Sequence, residues 1–214
     1  YSVAICATPI YASGTWITMF PTMYRGGTVV LLPHFSPQAF LDAVQREHGT
    51  HSFLVPTQYI GLLQRPLERW DTRSLKALVT SGQSLPMVVY DALLERFPGT
   101  AIYEVYGMTE GFATLAIPED VVRGKRGSVG KPVFMDDSRV IDDKGLEVPV
   151  GETGEIVAYG PGMMKGYYNR PDLTAAATWV AQSGRTYMRS GDLGHLDADG
   201  FLYVSGRLKD MIKS

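Results

Sequence analysis

Short apolar, β-rich runs alternate with helical patterns through the first half of the chain, the sequence sign of a parallel sheet covered by helices. Residues 28–32 read as a buried strand. Ser36 followed by Pro37 has the form of an N-cap with proline at the first helical position, opening a helix to about residue 47 that stops at Gly49. Residues 52–55 and 75–80 are the next strands. The second of them ends in Ser81, Gly82, Gln83 and Ser84, before a helix that begins at Pro86 and ends near Phe97. Residues 101–106 form one more strand, ending at Gly107 with a short helical pattern after it. Both strand-to-glycine turns fall at carboxyl ends of strands, where open α/β sheets bind ligands. From about Pro118 the pattern becomes short strands separated by turn residues, with one helical insert at 172–179 after Pro171. The expectation is therefore α/β: a Rossmann-like, mostly parallel sheet subdomain over 1–118 and a small β-barrel-like subdomain over 119–207.

Composition narrows the function classes. The 214 residues are 45% hydrophobic and 20% charged, which excludes a disordered or collagen-like chain. A formal net charge of -2, with no run of Lys and Arg, argues against a nucleic-acid partner. The single cysteine, Cys6, cannot make an intrachain disulfide, so nothing asks for an oxidising compartment and a cytoplasmic location is the default. Residues 1–24 carry no charge, but Pro9, Ser13, Gly14 and four threonines break their apolar continuity, so they read as buried strand and helix, with no transmembrane segment. The absence of a basic leader and an initiator methionine suggests a chain that begins in mid-protein.

The run Tyr106, Gly107, Met108, Thr109, Glu110 puts a ring, a glycine, a hydroxyl and a carboxylate on one turn. The ring suits stacking on a base, backbone N–H groups and Thr109 suit a phosphate, and Glu110 suits magnesium. An ordinary turn with a capping threonine reads the same way. Asp192, after Ser190 and Gly191, is either a ribose acceptor or a turn aspartate. Arg207 offers a planar fork for ribose or phosphate, or a surface ion pair. Gly82, Gln83 and Ser84 either pass a base by their backbone or cap the following helix. Residues 151–174 read as a turn-rich structural segment with tyrosines that pack. Ser13, Gly14 and Thr15 lack the second glycine and lysine of a phosphate loop. His34, His48, His51 and His195 lack metal-ligand spacing.

With TSGQSLP, YGMTE, GETGEIVAYGPGMMKGYYNRPDLT and YMRSGDLGHLDADGFLYVSGRLKDMI present in that order, the chain resembles the adenylate-forming (AMP-binding) family of acyl-CoA synthetases, or fatty-acid-CoA ligases. The resemblance covers essentially the whole chain but not a whole enzyme. It implies the acetyl-CoA-synthetase-like fold, and an acid-thiol ligase that joins a carboxylic acid to ATP as an acyl-adenylate and then transfers the acyl group to CoA. It implies ATP, magnesium and CoA as cofactor and co-substrates. Thr109 would contact the α-phosphate and Glu110 would bind magnesium, these two forming the catalytic pair. Tyr106 would stack on adenine, with Gly107 in the same nucleotide site, Gly82, Gln83 and Ser84 would line the adenine edge, and Asp192 would hold the ribose with Arg207 beside it. Lys209 would be the hinge within a 208–214 segment leading to a further domain. The family's phosphate loop would precede Tyr1 and its catalytic lysine would follow Ser214, so the chain alone is expected to be an internal fragment with little or no adenylation. Ile10, Ala12, Trp16, Val55, Pro56 and Tyr59 would wall the acyl pocket, and a small residue at Ala12 would widen it; a medium to long fatty acid is the expected substrate.

Two other readings stay open. An amino-acid-activating adenylation domain shares the nucleotide motifs, but it needs a carboxylate near Tyr11 for the substrate amine, and the first acidic residue here is Asp42. A non-catalytic nucleotide-binding module, or a structural piece that forms a homodimer through exposed apolar surface, is the alternative of a different class.

Overall fold

The structure is a computed structural model, and it describes residues 1–133 and 135–210. The chain forms two compact units, one of Tyr1–Val105 with Ile117–Gly127, the other of Tyr106–Ala116 with Ser128–Ser214. The chain therefore passes from one unit to the other at 105/106, 116/117 and 127/128, where the sequence suggested a single boundary after residue 118. No helix among the described residues is long and apolar enough to cross a membrane.

The first unit is built from β1 (Val3–Cys6), α1 (Ser13–Tyr24), β2 (Thr28–Leu31), α2 (Pro37–Glu47), β3 (His51–Phe53), α3 (Pro56–Leu63), β4 (Ala77–Thr80), α4 (Met87–Arg96) and the start of β5 (Ala101–Met108). Its strands lie in the order β2-β1-β3-β4-β5, every neighbour parallel. Local sequence explains the helix that matters most to the core. The Ser36 hydroxyl accepts the N–H of Ala39 at 3.1 Å, Pro37 opens α2, and Phe40, Leu41, Ala43 and Val44 form its buried stripe. α2 ends on His48, in the left-handed region at φ 52°, one residue before the expected Gly49. The core under the sheet joins these side chains to Ile5, Leu54, Tyr59, Leu78, Leu93 and Ile102. α1 leaves Trp16, Phe20, Met23 and Tyr24 exposed. The same unit takes α5 (Pro118–Val122), a helix the sequence reading did not anticipate; Asp120 caps it by accepting the Ile117 N–H at 3.0 Å.

The second unit contains the end of β5, β6 (Phe112–Ala116), β7 (Lys131–Pro132), β8 (Asp137–Ile141), β9 (Gly154–Tyr159), α6 (Pro171–Ala176), β10 (Thr178–Val180), β11 (Thr186–Leu196) and β12 (Leu202–Arg207). Its main sheet is antiparallel in the order β10-β11-β9-β8, with β12 on the later half of β11. Successive side chains of β9 point to opposite faces. Val157 therefore packs with Ile141, Tyr187 and Trp179, while Ile156 packs with Val129, Leu202 and Tyr106.

The expected helix after Gly107 does not exist: β5 runs through Gly107 to Met108, turns at the Met108 carbonyl to Gly111 N–H bond, and returns as β6. Phe112 and Thr114 are buried at alternate positions, which is the period of a strand and not of a helix. The insert at 172–179 is a short α6 alone, and Trp179 belongs to β10, where its ring packs on Tyr187 and its N–H donates to the Gly145 carbonyl at 2.9 Å. After β12 a single 3-10 turn, Leu208–Asp210, holds Lys209; the rest of the expected 208–214 hinge lies outside the described residues.

Candidate functional site

In the second unit, Asp192 stands where β11 breaks register with β9, just before a second shift, between Leu193 and Gly194, against β12. Between Arg189 and Leu193 the strand spans four positions while β9 spans only Val157 to Glu155, so residues 190–192 bulge out opposite Ile156. On the other edge Asp192 pairs with Arg207 of β12. Its side chain is 15% exposed. One oxygen accepts the Tyr106 hydroxyl at 2.9 Å and the other lies 3.3 Å from Nε of Arg207. Burial raises the Tyr106 phenol well above its ordinary range, a hydrogen bond with Ser190 opposing the shift, so the group stays protonated and donating. A carboxylate has about four acceptor positions, so with two in use it can still receive the two hydroxyls of a diol. The Tyr106 ring meets Phe112 edge-on, centroids 6.3 Å apart. The expected ribose acceptor, its arginine and the expected adenine ring are thus brought together from positions far apart in sequence. Asp192 is enclosed within a strand and is not a turn aspartate.

Thr109, Glu110 and Gly111 form the tip between β5 and β6, with Gly107 and Thr109 exposed. The tip rests on the segment that the sequence suggested was structural. The Met164 N–H donates to the Glu110 carbonyl at 2.7 Å, and Gly111 lies so close to Gly162 that a Cβ would stand 2.3 Å from the Gly162 carbonyl oxygen. Tyr167, a partner no local signal identified, donates its hydroxyl to the Glu110 carboxylate at 2.8 Å. A single accessible carboxylate suits magnesium, which takes one or two protein carboxylates and completes its shell with phosphate oxygens and water. No group of three or more His, Cys, Asp or Glu among the described residues makes a metal site by itself.

In the first unit, Gly82, Gln83 and Ser84 are exposed in the loop between β4 and α4. They do not cap α4, whose N-cap position is Pro86 without a side-chain bond. The loop is anchored from β5: Oε1 of Glu104 accepts the Leu85 N–H at 3.0 Å. Burial raises the Glu104 carboxyl to about 7 against an ordinary 4.5, the Leu85 bond opposing the rise. Sequence reasoning passed over Glu104, since only the fold buries it.

A carboxyl more easily protonated folded than unfolded makes the folded state lose stability as pH rises from 4.5 to about 7. Glu104→Gln, which keeps the acceptor without the charge, is expected to stabilise the chain at pH 8 by on the order of 2 to 3 kcal/mol. That gain should vanish toward pH 4.5. Urea unfolding of both proteins at the two pH values measures it, and a gain independent of pH would refute the assignment.

The expected acyl-pocket residues gather where the strand order reverses, between β1 and β3. Ile10 and Ala12 follow β1, Ala12 being the N-cap of α1, and Val55 and Pro56 follow β3. Trp16 donates its ring N–H to the Ile10 carbonyl at 2.7 Å. This is the position at which open α/β sheets bind ligands. Tyr59 has no exposed surface: it lies in the core, its hydroxyl donating to the Val79 carbonyl at 2.9 Å.

Comparison with known proteins agrees with this geometry. The sequence model of the AMP-binding enzyme family matches residues 1–168. A feruloyl-CoA synthase from Amycolatopsis sp is 40% identical over 216 residues, a match covering 99% of this chain and 42% of that protein. An indoleacetate–CoA ligase from Aromatoleum aromaticum is 38% identical over 199 residues, covering 91% of this chain and 37% of that protein. Among solved structures, the O-succinylbenzoate coenzyme A synthetase from Bacillus subtilis in complex with ATP and magnesium ion superposes with a TM-score of 0.85 at 31% identity, over 100% of this chain and 43% of that one. The chain thus spans well under half the length of each of these relatives. The parallel α/β sheet, the small antiparallel β unit and the family match together establish that this chain belongs to the AMP-binding enzyme family.

Proposed function

We propose that the chain carries the adenosine-binding part of an ATP-dependent acyl-CoA synthetase, an AMP-forming acid-thiol ligase. The observation that carries this reading is the enclosed Asp192 carboxylate, flanked by the Tyr106 hydroxyl and the Arg207 guanidinium and left with acceptor positions for a ribose. The names of the relatives support it, since each joins an acid to coenzyme A. In the proposed reaction a carboxylate oxygen attacks the α-phosphorus of ATP, the bond to the bridging oxygen breaks, and pyrophosphate leaves. The CoA thiol, giving up its proton, then attacks the acyl carbon and AMP departs. Catalysis of the first step rests on positioning and charge. Tyr106 would present its ring to adenine and Asp192 would accept from the ribose. Thr109, exposed at the hairpin tip, would donate to the α-phosphate. Glu110, oriented by Tyr167, would hold magnesium, whose charge would offset that of the phosphates.

For the acid, the apolar set of Ile10, Ala12, Trp16, Val55 and Pro56 favours a medium to long fatty acid over an amino acid, whose ammonium would find no carboxylate near Tyr11. An aromatic acid is a second reading, favoured by the names of the feruloyl and indoleacetate relatives. Titration calorimetry with two non-hydrolysable adenylates, one decanoyl and one feruloyl, separates them. Tighter binding of the decanoyl compound is the expected result, and tighter binding of the feruloyl compound selects the aromatic reading. A chain that binds neither would sink the proposal and leave a module of another kind.

A further inference from the structure

The bulge that carries Asp192 is held from outside by a residue of the 151–174 segment, to which the sequence assigned only a structural part. Glu155, on β9, is 6% exposed, and its carboxylate reaches the residue before the bulge and the bulge's middle residue. One oxygen accepts from the Arg189 guanidinium through Nε at 3.0 Å and through a second, shorter bond from Nη2, and the other accepts the Gly191 N–H at 3.3 Å. Within the bulge, the Ser190 hydroxyl donates to the Ile156 carbonyl at 2.7 Å and accepts the Asp192 N–H at 3.0 Å. An ordinary strand would need none of this, because its ladder bonds to β9 would set its course. Residues 190–192 have left that ladder, so the buried carboxylate takes its place.

We propose that Glu155 is a positioning residue for ribose recognition: through Arg189 and the Gly191 N–H it sets the direction in which Asp192 presents its carboxylate. The inference rests on the reading of Asp192 as the ribose acceptor. Its signature is selective, since loss of Glu155 weakens binding through the ribose hydroxyls and leaves contacts to base and phosphate alone.

The test is calorimetric titration of the whole chain with AMP and with 2′,3′-dideoxy-AMP, the ratio of affinities giving the factor contributed by the hydroxyls. That factor is expected to be about a hundredfold in the wild type and about one in Asp192→Ala. In Glu155→Gln it should fall by about fivefold, with affinity for the dideoxy ligand changed by less than about twofold. Ser190→Ala leaves the buried ion pair intact and loosens the same bulge, so it should lower the factor too. It serves as the measure if thermal unfolding shows Glu155→Gln to be poorly folded. A factor unchanged in both variants, or equal weakening toward both ligands, overturns the role of Glu155 and leaves Asp192 standing. A factor unchanged in Asp192→Ala, or no nucleotide binding by the wild type, overturns the ribose reading and this inference with it.

Discussion

Asp192→Ala is expected to weaken binding of a non-hydrolysable acyl-adenylate by about a hundredfold, the loss of two charge-assisted hydrogen bonds from ribose hydroxyls. The effect should be large because the carboxylate is mostly enclosed, so water replaces it poorly, and because Tyr106 and Arg207 already hold it in place. Folding should suffer much less. The Arg207 side chain is 60% exposed and returns to water when its partner is removed. The Tyr106 hydroxyl, half-buried, loses its acceptor at about 1 to 2 kcal/mol. Asp192→Asn separates shape from charge: it keeps one acceptor and is expected to lose about tenfold. Calorimetry with a thermal unfolding control on each variant decides the matter, and wild-type affinity in both variants would remove Asp192 from the site.

Gly130→Ala should be among the most damaging single-methyl additions in the chain, at about 3 to 5 kcal/mol of stability. Gly130 has φ +85°, in the left-handed region, and a Cβ built on it would stand 1.9 Å from the Leu115 carbonyl oxygen, an overlap no rotamer can relieve. Relief requires β7 to move from β6, where Leu115 pairs with Lys131. Three further bonds meet at this point: Gly130 N–H to the Ser128 hydroxyl, Leu202 N–H to the Gly130 carbonyl, and Val129 N–H to the Leu202 carbonyl, all within 2.8 to 2.9 Å. Gly99→Ala is the control. It has a similar φ of +80° with nothing within 4 Å, so it should lose only about 1 kcal/mol. Urea unfolding of the pair measures the difference, and equal losses would show that backbone conformation, not the close approach to Leu115, governs Gly130.

Much of the first unit was legible along the chain because its signals are local. The Ser36 cap, Pro37, and the apolar stripe of α2 lie within one or two helical turns of each other, and the structure starts, faces and ends the helix within a residue of the expectation. The same locality misled at Gly107: a strand, a glycine and a short apolar pattern fit a strand-to-helix turn, and only the burial of Phe112 and Thr114 made the following segment a strand. Tyr59 has the apolar character of a pocket wall, and its place in the core was decided by how α3 packs on the sheet.

What the sequence by itself determined is the parallel α/β order of the first unit, the turn-rich β character of the second, and the ordered motifs that identify the family. Tertiary structure alone decided which groups meet. Tyr106 and Asp192 are 86 positions apart and Glu155 and Arg189 are 34 apart, and no propensity or period reaches that far. Strand register brings each pair together, and burial does the rest, raising Glu104 toward neutrality and enclosing Glu155, because a charge removed from water takes its properties from whatever the fold places beside it.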